Sequence, residues 1–544
     1  MSETSEPARS DAAGPLLRDP EALRLLSELV AIAPTNLEDP VRSRYEKPYY
    51  RRAADEITRW ARTFGLRTRR FDPVLDLPPD PEYRGIPRPN VIVDLDGRTT
   101  DRLLILVHYD VVPVPREQLS RWKTPPHVLT RRSDGRLYAR GANDDLGSGV
   151  LAGLFAMKRL AGGDPPERSV RMLVCCDEET GGLGGIDAVK RHDEQLPPND
   201  PDRFLDGSVA LIPDGSPHTT AGSSGIMFLD GTFDRPATVP EAVAFGSELA
   251  RLHDLARTWR SIYASPDWPD HGAPEPVLTG RATLTRFDVG DVTPDGASPA
   301  LLLAHAENEA PNQIAESVTL VFGGEPGALE ALREQFRAQV KAPFRLESPA
   351  TSTSLEIPPG GLSVQIVGQS AHGGYPHRGH NPVPVALDLL ARAVAEGRVS
   401  RTAAGRITFA VDLRLIPELA LERARHEVLD PLGAWCRAKL PGARVEAPPA
   451  RSRGGYSIPP DHPAVARLER IARVELGERG VFGEYGGTDA STLSGVTTPT
   501  GAPLPALVFG SMDREARIHE AEESVDPRLI EGVSRTLERF AREP

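Results

Sequence analysis

Leu103-Leu104-Ile105-Leu106-Val107-His108-Tyr109-Asp110 is a run of five aliphatic residues that stops on a histidine and an acid two positions apart. An unbroken apolar run of this length suits a strand buried on both faces, as in a parallel sheet. The pattern recurs along the chain. Val170 to Cys176 runs into Asp177-Glu178-Glu179, and Val209-Ala210-Leu211-Ile212 runs into Pro213-Asp214. Ala506-Leu507-Val508-Phe509 is followed ten residues later by His519. From Asp144, a residue type suited to an N-cap, Val150, Leu151, Leu154 and Phe155 recur at helical spacing. Strands alternating with helices predict an α/β domain with a mostly parallel central sheet. Ligands in such sheets bind beyond the carboxyl ends of the strands, where these polar clusters fall.

The middle of the chain reads differently. Ile226 to Phe233 predicts a strand and Glu241 to Arg257 a helix, and Ser317 to Phe322 with Ala328 to Val340 repeats that order. Leu362 to Val367 with Pro384 to Val394, then Ile407 to Leu415 with Leu419 to Trp435, repeat it twice more. We read an α+β lid domain with duplicated lobes over 227–450, inserted between 16–226 and 451–544 of the first domain. Residues 1–15 read as a disordered tail, and the Pro-, Asp- and Gly-rich stretch Ser261 to Ala310 as loops.

Composition narrows the function. The 544 residues carry a net charge of −13 with no basic block, so a nucleic-acid partner is not expected. Three cysteines, two of them the neighbours Cys175 and Cys176 in an apolar run, make no disulfide framework and point to a reducing compartment. No stretch of 18 apolar residues and no apolar leader are seen, so the reading is a cytoplasmic protein with no membrane partner.

Two histidines and several carboxylates, His108, Asp110, Asp144, Glu178, Glu179, Asp214 and His519, supply nitrogen and hard oxygen donors. Such a set suits zinc, with cobalt or manganese as alternatives. One carboxylate can bridge two ions holding a hydroxide, and a spare one can act as general base. Five further histidines, His127, His218, His377, His380 and His462, read as surface residues.

These stretches resemble the di-zinc amidohydrolases and peptidases that include acetylornithine deacetylase, succinyl-diaminopimelate desuccinylase and carnosinase. The motifs stand in the family's order: His108-Tyr109-Asp110, Gly141-Ala142-Asn143-Asp144-Asp145-Leu146-Gly147, Asp177-Glu178-Glu179, Asp214, Gly368 to Gly374, Gly486-Gly487-Thr488-Asp489-Ala490, and His519 with Glu523. The resemblance implies a zinc-peptidase-like catalytic domain with two divalent metal ions. His108 and Asp214 would hold one, Glu179 and His519 the other, with Asp144 bridging and Asp145 competing for that role. It makes Glu178 the general base and Asp110 the partner that orients His108.

In the lid the resemblance is closest to peptidase V-like dipeptidases, whose second lobe is similar to a missing partner subunit. It implies that His372 and Asn312 stabilise the oxyanion, that Arg414 grips the substrate carboxylate, and that Gly487 and Thr488 contact substrate. One chain would then hold a complete site, whether or not dimers form. Asp214 is similar to the acid of members that act on free amino termini, which favours a dipeptidase. An N-acyl-amino-acid deacylase and a catalytically silent peptide-binding relative are the alternatives. Leu146 departs from the Lys or Met usual after the double acid, and the loop Ser261 to Gly296 has no counterpart.

Overall fold

The computed structural model describes residues 19–35, 49–73, 87–114, 116–198, 200–265, 277–293, 299–307, 313–348, 360–371, 373–477 and 480–543. The expected tail 1–15, Asn312, His372 and the side chain of Asp144 lie outside the described residues. The chain divides into two compact units. The first is Met1–Ala221, Ile458–Phe482 and Thr488–Pro544, and the second is Gly222–Ser457 with Gly483–Gly487.

In the first unit, β1 (Arg67–Phe71), β2 (Asn90–Leu95), β3 (Thr99–His108), β4 (Arg168–Cys175) and β5 (Val209–Ile212) lie in the order β1-β2-β4-β3-β5, with the strand Ala506–Val508 beyond β5. The four strands from β4 to Ala506–Val508 are parallel, β2 runs antiparallel to β4, and the edge strand β1 is antiparallel to β2. The apolar runs are fully buried from Leu103 to His108, Ser169 to Cys175 and Val209 to Ile212, as a sheet covered on both faces requires. Parallel strands put their carboxyl ends on one edge. His108 pairs with Cys175 in register, so β3 and β4 release their polar clusters side by side.

The second unit is built around an antiparallel sheet. Its strands β6 (Gly225–Phe233), β7 (Arg281–Thr293), β8 (Ala300–Glu307), β9 (Ser317–Gly323), β10 (Leu362–Val367) and β11 (Ala404–Leu415) lie in the order β10-β9-β8-β7-β11-β6. The helices Val239–Ala250, Pro326–Gln339, Pro382–Ala395 and Leu421–Lys439 fall where the apolar spacing predicts them, in a core of their own that includes Phe245, Phe336 and Phe409. The helix expected to Arg257 is two helices meeting at Arg251.

The expectation of loops over Ser261–Ala310 is corrected. This stretch holds Arg260–Ala264, Val277–Thr279, β7 and β8, and β7 pairs along its length with β11. The alternation Ala282, Leu284, Phe287, Val289 supplies an apolar face that outweighs the turn-forming residues around it. The insertion is zipped where it begins and ends. Ser452 pairs with Met227 and Ser457 with Gly222, and Ile458 N–H donates to the Ala221 carbonyl within the first unit.

Candidate metal centre

The centre is built in the first unit from the ends of three adjacent parallel strands. β3 delivers His108 and Asp110, β4 delivers the turn Asp177-Glu178-Glu179, and β5 delivers Asp214. The turn is held in a left-handed conformation that is uncommon for a residue other than glycine. Asp177 has φ 62°, and its buried carboxylate accepts from Arg88 and from the Gly184 N–H (3.1 Å). The Asp110 carboxylate then accepts the N–H groups of Glu178 and Glu179, both at 3.1 Å. Sequence reasoning gave Asp110 the task of orienting His108. In the structure it also fastens the two glutamates.

The Nδ1 atom of His108 stands 3.2 Å from the Asp110 carbonyl and 3.5 Å from its carboxylate. A proton on Nδ1 meets these acceptors, leaving Nε2 toward Asp145 (3.6 Å) and Asp214 (3.9 Å). Asp145 also belongs to a second cluster. Donor atoms of Asp145, Glu179 and His519 all lie within 4.8 Å of one another, with His519 Nε2 2.8 Å from Glu179. Asp145 therefore sits between a His108–Asp214 half and a Glu179–His519 half. Sequence reading ranked Asp144 ahead of it.

The local backbone explains the place of Asp145. Residues Asp144–Leu151 form a π-helical turn that passes into the α-helix Ala152–Ala161, and Asn143, not Asp144, stands at the cap. Such wider turns are frequent at functional sites and rotate the side chains relative to an α-helix. Gly141 adopts φ 73°, and a Cβ on Gly147 would lie 2.2 Å from the Ala142 carbonyl, so both ends of the motif require glycine. Asn143 is locked by Ser511 Oγ (2.8 Å) and by donating to the Ser524 carbonyl (2.9 Å). Leu146 is fully buried, so its departure from the usual residue is a core substitution.

His519 comes from a loop in which Arg517, His519 and Glu522 all have positive φ. Buried arginine holds it. Arg140 pairs with Glu523 at 2.6 Å and donates to the His519 carbonyl at 3.1 Å, and the side chains of both Arg140 and Glu523 are at most 1% exposed. The His519 side chain is 42% exposed against 11% for Glu179, so the cluster opens to solvent on the His519 side.

The charges are strongly coupled. Burial alone would lower the His108 pKa, but Asp110, Asp145, Glu178 and Asp214 pull it well above its ordinary value. Desolvation pushes the Glu178 carboxyl up, although the residue keeps some surface; His108 opposes this, and Asp489, Asp214 and Glu179 add to it. So many carboxylates around one imidazole call for positive charge at this point. Two nitrogen and several oxygen donors fit divalent zinc without any thiolate.

Residues 104–543 match the profile of peptidase family M20/M25/M40. The chain belongs to this family. It is similar to the Cys-Gly metallodipeptidase dug1 of Schizosaccharomyces pombe, 28% identical over 173 residues that cover 30% of this chain and 34% of that protein. A Beta-Ala-Xaa dipeptidase of Lactobacillus delbrueckii subsp. lactis is 28% identical over 221 residues, covering 40% and 39%. The matched segments thus span well under half of these relatives. Among solved structures, human carnosine dipeptidase 1 shares the fold with a TM-score of 0.52 at 16% identity, covering 97% of both chains. Peptidases of the M20/M25/M40 family are metal-dependent.

The other residues named from sequence are placed as follows. Thr488 is buried in the first unit and its hydroxyl caps the short helix Asp489–Thr492 by accepting from the Ala490 N–H (3.2 Å), while Gly487 is exposed in the second unit. Arg414 is buried in β11, paired through two nitrogens with Asp412 (2.7 and 2.8 Å), and its Nη1 donates to the Tyr485 carbonyl (3.3 Å). His127 is buried, against the expectation of a surface residue, and His462 caps the helix Pro463–Glu475. Sequence reasoning gave no role to Asp489, a buried acid that raises Glu178, nor to Arg140. For Asp489 the signal was present in the Gly486–Ala490 motif. For Arg140 there was none.

Proposed function

We propose that this member of the M20/M25/M40 family is a dipeptidase that hydrolyses the peptide bond of dipeptides or similarly small peptides with a free carboxylate. The observation that carries the reading is the donor set in which the Asp145 carboxylate stands beside His108, itself near Asp214, and also beside Glu179 and His519. Two divalent ions, zinc by donor preference, would supply an electrophile for the scissile carbonyl and acidify water. Glu178 takes the proton of that water and later gives it to the leaving amine. Its desolvated carboxyl, raised above the ordinary carboxylate range, suits both transfers. Asp110 and the Asp177–Arg88 pair hold Glu178 at its post.

The resemblance supports His372 and Asn312 as oxyanion donors, Arg414 as partner of the substrate carboxylate, and Gly487 and Thr488 as substrate contacts. Turnover of a dipeptide library against N-acetyl amino acids, with zinc, cobalt and manganese compared, tests the reading. Cleavage of N-acetyl amino acids with none of any dipeptide would replace it with a deacylase. We also hold that one chain suffices. Mixing His372→Ala chains with Glu178→Ala chains should restore no activity despite demonstrated subunit exchange, and recovery would refute the self-contained site.

A further inference from the structure

At the opposite ends of β3 and β4 from His108 and Glu178, one face of the sheet is charged where an apolar face is the rule. Arg67, Asp94 and Arg171 lie directly opposite one another across β1, β2 and β4, so they share a face. Arg69, Ser169 and Arg102 join them at two-residue spacing, since Leu104 is the partner of Arg171 on β3. This face and Arg62, from the last turn of the helix Tyr49–Thr63, line a recess of about 600 Å³. The volume falls within the ordinary range for small-molecule sites.

The charges in the recess do not balance. Asp96 is taken by Arg67, Asp94 by Arg171 (2.6 Å) and Arg69 (3.4 Å), and Asp206 by Arg102 and Arg171. Both oxygens of each of the three carboxylates are thereby engaged. Arg62 donates to the Thr68 hydroxyl (2.9 Å) and pairs with no acid among the described residues. Five guanidinium groups therefore face three saturated carboxylates, a local surplus of two positive charges in a chain of net charge −13. Arg171, with a side chain only 5% exposed, is a fixed part of the floor.

We propose that this recess binds a small molecule through a phosphate group. A dianionic, tetrahedral oxyanion matches the surplus charge and offers several acceptors to forked guanidinium donors. The volume leaves room for more than the phosphate itself, which favours a phosphate ester over free phosphate. The inference stands apart from the proposed peptidase activity, because no residue of the recess belongs to the metal centre.

The test titrates the metal-loaded protein with inorganic phosphate and with adenosine monophosphate by calorimetry at low ionic strength. One saturable site is expected, tighter for the ester if an ester is the ligand and equal for both if free phosphate is. Arg62→Gln should weaken binding about ten-fold, the scale of a lost charge-assisted contact. Arg62→Gln with Arg69→Gln should remove saturable binding, and His519→Ala should leave it unchanged. If the double variant fails to fold, Arg62→Gln alone decides, because Arg62 is exposed and outside the ion-pair network. Absence of saturable binding overturns the proposal. So does binding that survives the arginine substitutions, or that His519→Ala abolishes, which would place the phosphate at the metal centre.

Discussion

Glu178 and Glu179 are neighbours on one short turn, yet they face different tasks. Glu179 lies 2.8 Å from His519 within a donor cluster, whereas the Glu178 carboxyl is raised by desolvation and feels the charges of His108 and Asp489. Glu178→Gln is expected to retain metal and lose roughly 10²–10⁴-fold in kcat, the usual scale for a general base. Glu179→Ala should lose metal instead, and metal analysis beside kinetics separates the two. Equal metal loss in both, with activity regained in excess zinc, would overturn the division of roles. The double acid invites the same treatment. One of Asp144→Asn and Asp145→Asn should fall to at most one metal by native mass spectrometry, while the other keeps two. The geometry places Asp145 beside both donor groups, and the family resemblance names Asp144. Retention of two ions by both variants would exclude a bridging acid from this pair.

The loop that presents His519 depends on a contact nearly four hundred residues away in sequence. Arg140 and Glu523 form a buried pair, and removing one partner leaves the other charge without compensation, a cost of about 3–5 kcal/mol. Arg140→Met should lower the melting temperature and reduce metal content together, and adding Glu523→Leu should restore part of the stability. If Arg140→Met left both unchanged, the loop would be held by other means. Pairs of this kind are invisible in sequence, because neither residue shows which distant partner it meets. The strand-end acids and His108 were legible, since unbroken aliphatic runs fix where each strand stops. β7 was not, because the turn-forming residues near it masked the alternation of Ala282, Leu284, Phe287 and Val289. The place of Asp145 was hidden for a third reason: a π-helical turn shifts side-chain direction, and residue types alone do not announce it.

The second unit has a hydrophobic core of its own, and the metal-ligand candidates all belong to the first. Calorimetry should therefore resolve more than one unfolding transition, and a chelator should lower only the one that belongs to the first unit. Bound metal stabilises what it binds, by about 2.7 kcal/mol at a hundred times its Kd. A single transition that moves as a whole would show that the units unfold together. The parallel pairing of Ala210 with Ala506 has a consequence in time. On the ribosome, β5 emerges about 300 residues before the strand that covers its edge, roughly 15–60 s at ordinary translation rates of about 5–20 residues per second. The second unit is synthesised almost whole within that interval and has all the strands of its own sheet from β6 to β11. The first must wait with Val209–Ile212 unpaired on one side, an aliphatic edge of the kind that chaperones shield. His519 follows later still, so the nascent protein cannot assemble its full set of metal donors until residue 519 has been made.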